Sequence, residues 1–177
     1  MKTLIQSKKA IIRSLGVLSA LCAFTLMSGK ARSEVLLGAT YTEPLIFGGA
    51  SYLVDFNGTG TAGGETFTFS TTQPNTRVVL TFNAECAVEG EAWKWADIDI
   101  IVDETIVPPS NGDNAFCSGN GTTTASGSNF TLDGWVSAST QATMVLPKAG
   151  THTVKVRVNG GNAGVTRLDD MSLVVQR

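Results

Sequence analysis

From residue 35 onward, apolar and polar side chains alternate with a period of two. Glu65-Thr-Phe-Thr-Phe-Ser-Thr71 alternates without a break and places Phe67 and Phe69 on one face. Asp97-Ile-Asp-Ile-Ile-Val-Asp103 does the same with Ile98, Ile100 and Val102. Runs at Val35–Leu37, Ser51–Phe56, Arg77–Asn83, Asn129–Asp133, Ala142–Leu146, Thr153–Val158 and Met171–Val175 bring the set to eight or nine short strands. Residues two apart on a strand share a face, and the Val, Ile, Thr and Phe that fill these runs suit a half-buried pleat. After residue 34 no window sustains a 3.6-residue apolar repeat for three turns, so no helix is predicted.

The spacers between the runs are turn chemistry. Asn57-Gly58, Gly63-Gly64, Asn111-Gly112, Asn120-Gly121, Asp133-Gly134 and Asn159-Gly160-Gly161 tolerate the positive φ that tight reversals demand. Short strands at this spacing predict an all-β fold, an antiparallel β-sandwich with jelly-roll topology the favoured member. Residues 108–128 form the longest stretch without a strand pattern and read as a surface loop pinned by Cys117, so 34–177 is expected to be one domain.

The first 33 residues do not belong to that pattern. A basic stretch ends at Arg13, Ser14–Met27 runs 14 residues without a charge, and small residues follow at Ala31 and Ser33. Fourteen residues fall short of the about 20 that span a bilayer as a helix. The arrangement matches a secretory signal, residues 1–33, cleaved before Glu34, with a retained anchor as the alternative. The domain is expected to be secreted or periplasmic and not membrane-embedded after signal removal. Cys22 does not fit a lipid-modified position, because Leu21 stands where a small residue is wanted.

Setting the leader aside changes the charge. The chain has 13 Lys and Arg against 15 Asp and Glu, but Lys2, Lys8, Lys9, Arg13, Lys30 and Arg32 all lie in the leader, which has no acid. Residues 34–177 therefore hold seven cations and 15 acids, a net charge of −8. That excludes the basic stripe a nucleic-acid partner requires. It also leaves two cysteines, Cys86 and Cys117. An even pair in an exported chain predicts a disulfide. Zinc is the rival, with neither cysteine in a CxxC and a single His at 152.

The segment from Lys148-Ala-Gly-Thr-His-Thr-Val-Lys-Val-Arg-Val158 through Leu168-Asp-Asp-Met-Ser-Leu-Val-Val175 resembles the closing hairpin of jelly-roll carbohydrate-binding modules, in many of which a Gly-Thr-His-Thr-Val strand precedes a final Leu-Asp-Asp strand. The resemblance covers about 30 residues. It implies the fold more than the function.

Three constellations could carry chemistry. Asp97, Asp99 and Asp103 share one strand face and must meet cations. Lys155 and Arg157 could pair with them across the sheet, or Ca²⁺ could be held by Asp97, Asp99, Asp113, Asp169 and Asp170. Trp93 and Trp95 sit at i, i+2, and Trp135 lies out of phase with Phe130, Leu132 and Val136 and so points away from the core. Indoles present flat apolar faces on which sugar rings stack, whereas the structural alternative has them capping the sandwich under loops. His152 shares the phase of Val154, Val156 and Val158 and reads as a core or strand-end residue rather than a catalytic one. Glu85, Glu89 and Glu91 are conceivable as paired glycosidase carboxylates, but nothing in their spacing singles them out. No Gly-rich phosphate loop precedes a helix.

The expectation is a non-enzymatic binding module for a polysaccharide or other glycan, through Trp93, Trp95 and Trp135, with Ca²⁺ as the one cofactor to consider. The alternative is a self-associating subunit of an extracellular matrix or surface layer, assembling through strand addition by 34–49.

Overall fold

Residues 33–48, 51–57, 64–89, 94–109, 115–119, 135–160 and 165–177 are described by the structure, a computed structural model. Eleven strands appear among them: β1 (Val35–Tyr41), β2 (Leu45–Gly48), β3 (Ser51–Leu53), β4 (Phe67–Thr71), β5 (Thr76–Val88), β6 (Trp95–Val102), β7 (Thr105–Val107), β8 (Cys117–Ser118), β9 (Val136–Leu146), β10 (Gly150–Asn159) and β11 (Val165–Gln176). Residues 1–32 of the leader and the run Asn129–Asp133 lie outside the described residues.

The strands form two antiparallel sheets. In the first, β1 and β2 lie end to end along one edge of β11, followed by β5 and then β9. In the second, β3 and β4 lie end to end along β10, followed by β6 and then β7 and β8. Taking each end-to-end pair as one interrupted strand leaves eight. Their order is first–eighth–third–sixth in one sheet and second–seventh–fourth–fifth in the other, which is the jelly roll. Among these eight, only the connection from the fourth (β6) to the fifth (β7 and β8) stays within a sheet; every other step crosses between layers.

Alternation builds the core. Val78, Leu80, Phe82, Ala84, Cys86 and Val88 of β5 face inward, as do Ile98, Ile100 and Val102 of β6 and Val154, Val156 and Val158 of β10. Phe82 is fully buried between Phe56 and Phe116, with ring centroids 6.2 and 5.6 Å away. Burial of a side chain of this size contributes about 1.5–3 kcal/mol. The Cys86–Cys117 disulfide forms, with Cα atoms 6.2 Å apart, and ties β5 of one sheet to β8 of the other.

Alternation breaks at two places. β11 carries a bulge: its register against β5 shifts between Asp169 and Ser172, Asp170 adopts φ 45°, and the Asp170 N–H donates to Asp169 Oδ1 at 2.8 Å. The extra residue lets Leu168 and Met171, three apart, both face the core and turns Asp169 and Asp170 outward. In the two-residue β6–β7 hairpin, Asp103 and Glu104 both have positive φ, 47° and 63°, the geometry whose twist suits a hairpin. Gly64 is required where it stands, because at φ 60° an added Cβ would lie 2.3 Å from Leu53 Cβ.

β1 and β2 both pair with β11 of their own chain, and the Glu34 and Arg177 backbones exchange N–H···O bonds at 2.9 Å. The segment expected to reach a neighbour's sheet is thus already an edge of its own.

Candidate functional site

The two sheets present outer faces with similar residue types and different fates. On the β6–β10 sheet, Trp95, Asp97, Asp99 and Ile101 point outward in phase, opposite Lys155, Arg157 and Asn159. Asp99 is nevertheless fully buried, Asp97 is 4% exposed and Trp95 is half-buried. Asp99 Oδ2 accepts from Arg157 Nε at 3.0 Å, from Arg157 Nη2, and from Asn159 Nδ2 at 2.8 Å. Asn159 Oδ1 in turn accepts from Ser51 Oγ at 2.6 Å. Asp97 Oδ1 accepts the Ile98 N–H at 2.8 Å. The expected Arg157 pairing therefore forms on Asp99, as a desolvated network and not a solvated acidic face.

Asp103 does not share that face, because the hairpin turns it toward the sandwich end. There its Oδ2 meets His152 Nδ1 at 2.7 Å, and its Oδ1 accepts the Thr153 N–H at 2.8 Å. Burial pushes the Asp103 carboxyl up, but the His152 and Thr153 hydrogen bonds together outweigh it and hold the group below its ordinary range. His152 itself is buried on the core face, 5.6 Å from the Phe69 ring, with Nε2 3.2 Å from the Lys148 carbonyl. It is the strand-end core histidine that its phase implied. Lys155 pairs with Glu104 at 2.7 Å instead of with an aspartate of β6.

The outer face of the β5–β9–β11 sheet is open. A shallow depression of about 360 Å³ lies on it, lined by Asn83 and Glu85 of β5, Ser137 and Ser139 of β9, and Asp170 of the bulge. Register explains the grouping. Glu85 pairs with Ser137 on one side and Asp169 on the other, while Asn83 pairs with Ser139 and Ser172. Short serines leave the space, and the bulge delivers the Asp170 carboxylate to its rim. The Asn83 amide donates to Ser172 Oγ at 3.1 Å. The Glu85 side chain has no ion pair or hydrogen bond among the described residues. One row further along, Trp135 continues the phase of Ser137 and Ser139. The β5–β9 register ends at Cys86–Val136, one residue short of it, and in the next row of the sheet Ala87 pairs with Arg167. Trp135 and Arg167 are both half-buried.

The expected site residues are therefore divided. Trp95, Asp97 and Asp99 belong to one sheet, Trp135, Asp169 and Asp170 to the other, and Trp93 and Asp113 lie outside the described residues. Among the described residues, no three Asp, Glu, His or Cys side chains converge as a metal centre. Asn83, Ser137, Ser139 and Arg167 escape a reading of the sequence, since each is an ordinary outward position on an alternating strand. One signal was available: the jelly roll itself sets the third, sixth and eighth strands side by side, so their outward residues share a face.

No family model matches the chain, and no curated protein matches it in sequence. Solved structures with a similar outline include a family 35 carbohydrate-binding module from Clostridium thermocellum, 15% identical over 77% of this chain and 97% of that one, TM-score 0.33. The sugar-binding EclA C-terminal domain is 10% identical over 83% of this chain and 86% of its own, TM-score 0.37. The insecticidal delta-endotoxin Cry8Ea1 from Bacillus thuringiensis is 16% identical over 74% of this chain, TM-score 0.40, and this chain spans 19% of its length. Among the described residues no helix is long and apolar enough to cross a membrane.

Proposed function

We propose that residues 34–177 form an exported, non-catalytic module that binds a glycan on the outer face of the β5–β9–β11 sheet, after removal of the leader 1–33. The observation that carries the reading is the open depression of Asn83, Glu85, Ser137, Ser139 and Asp170, and Trp135, directly before β9, is in phase with its two serines. Carboxylates, an amide and hydroxyls supply the acceptors and donors that vicinal sugar hydroxyls need. An indole beside them supplies the flat apolar surface for the C–H face of a ring. The disulfide between the sheets fits the oxidising compartment that export implies.

The test is affinity electrophoresis and titration calorimetry of the oxidised protein against a panel of neutral, acidic and amino polysaccharides. Binding to one class, lost in Trp135→Ala and weakened in Glu85→Gln, is the expected result. A protein that binds none of them, or whose binding survives both substitutions, refutes the assignment.

A further inference from the structure

A sheet in a sandwich ends in two edges whose unpaired N–H and C=O groups can capture another strand, and chains blunt such edges with interruptions, bulges, proline or charge. Three of the four edges here are blunted. β1 and β2 are separated by Thr42-Glu43-Pro44, and β1 carries a register shift between Val35 and Leu37. β3 and β4 are three and five residues long and lie far apart in sequence. β7 and β8 have three and two residues, with Pro108 and Pro109 following β7.

β9 is different. It runs eleven residues in unbroken register with β5, from Val136 to Leu146, and contains no Asp, Glu, Lys, Arg or Pro. Among the described residues no strand pairs with its far side. Val136 and Val145, near its two ends, are 47% and 48% exposed.

We infer that β9 is a self-association edge, pairing antiparallel with β9 of a second copy across a two-fold axis normal to the sheet. The occupant follows from charge. Two bodies at −8 repel at every acidic surface they could bring together, whereas β9 against itself sets no charge opposite a like charge. The pattern is also self-complementary. With Gln141, the midpoint of β9, on the axis, Ala142 stands opposite Thr140, Met144 opposite Ala138 and Leu146 opposite Val136 of the second copy. The core-side positions thus meet core-side positions, and the exposed Val136 is covered. Two sheets, each four strands wide, become one continuous sheet, and both outer faces point the same way. The depressions of the two copies then lie on one surface, separated by the paired β9 strands. This inference stands apart from glycan binding and requires only the edge.

The experiment is sedimentation of the full chain over a concentration series, beside Gln141→Lys/Thr143→Lys, whose lysines point outward from exposed positions. A concentration-dependent dimer that the double substitution converts to monomer, with Tm unchanged at low concentration, is expected. A monomer at every concentration, or a dimer that tolerates both lysines, overturns the proposal. Amide exchange of the unsubstituted protein gives an answer independent of variant folding: β9 amides slow as concentration rises if the edge pairs, and exchange independent of concentration overturns it. A dimer that binds no polysaccharide rejects the preceding reading and leaves this one standing.

Discussion

The two outer faces of the sandwich use nearly the same alphabet. Each has a tryptophan, aspartates, an arginine, an asparagine and serine. On the β6–β10 face Asp99 Oδ2 accepts from both Arg157 and Asn159, and the group is shut away from water. On the β5–β9–β11 face Glu85 stands open beside a depression, with Ser137 on one side and Asp169 on the other. Residue type thus says little about role. What decides it is whether the facing strand carries a complementary partner at the same register position, as Arg157 does for Asp99 and Ser137 does not for Glu85.

That contrast can be broken from several directions. The largest effect belongs to Asp99→Ala. Removing one member of a buried pair strands the other, and such losses cost about 3–5 kcal/mol. Urea denaturation of the variant should show it, whereas Glu85→Ala on the open face should leave the midpoint within error of the parent. Replacing Cys86 and Cys117 together by Ser comes next. A loop of this size contributes roughly 3–4 kcal/mol in the chain-entropy account, and the bond joins the sheets that bear the two faces, so Tm should fall sharply. Trp135→Ala should reverse the pattern, leaving Tm nearly unchanged while weakening glycan binding at least tenfold, about 1.4 kcal/mol.

A smaller effect lies at the sandwich end. Asp103 is held below its ordinary value of 3.8 by His152 and Thr153. A depressed folded-state value gives stability that is complete above the unfolded value and lost as pH falls through the folded one. Thermal melts should therefore show a decline below about pH 4 that is shallower in Asp103→Asn. Last is Glu104→Ala. Its partner Lys155 sits at a surface where such pairs are worth about 0–1 kcal/mol, and the denaturation midpoint should barely move.

Much of the fold is legible in the alternation. The runs at 77–83, 142–146, 153–158 and 171–175 lie within strands, those at 65–71 and 97–103 overrun β4 by two residues and β6 by one, and the cysteine pairing follows from parity and export. β2, β7 and β8 do not show in the sequence, because strands of two to four residues are too short to display a period. The bulge at Asp169-Asp170 is invisible for a different reason: it interrupts the phase between Leu168 and Met171, and the pair of acids at the break looks like metal chemistry. Asp103 was misplaced by the same logic, since counting by twos carries it onto the face of Asp97 although the chain has already turned. The site is the least legible part. Its residues come from three strands distant in sequence, and only strand order brings them together.

The meeting of Glu34 with Arg177 has a consequence for protein engineering. Their backbones exchange two hydrogen bonds, and their side chains form an ion pair, Arg177 Nε reaching Glu34 Oε2 at 2.6 Å. Entry to and exit from the sandwich thus occupy one corner, at the edge of its sheet opposite β9. A few glycines would join Arg177 back to Glu34, and new ends could be opened elsewhere to give a circular permutant of the same sandwich. Equally, anything fused ahead of Glu34 or behind Arg177 would hang from that corner and leave the depression and β9 pointing away from the cargo.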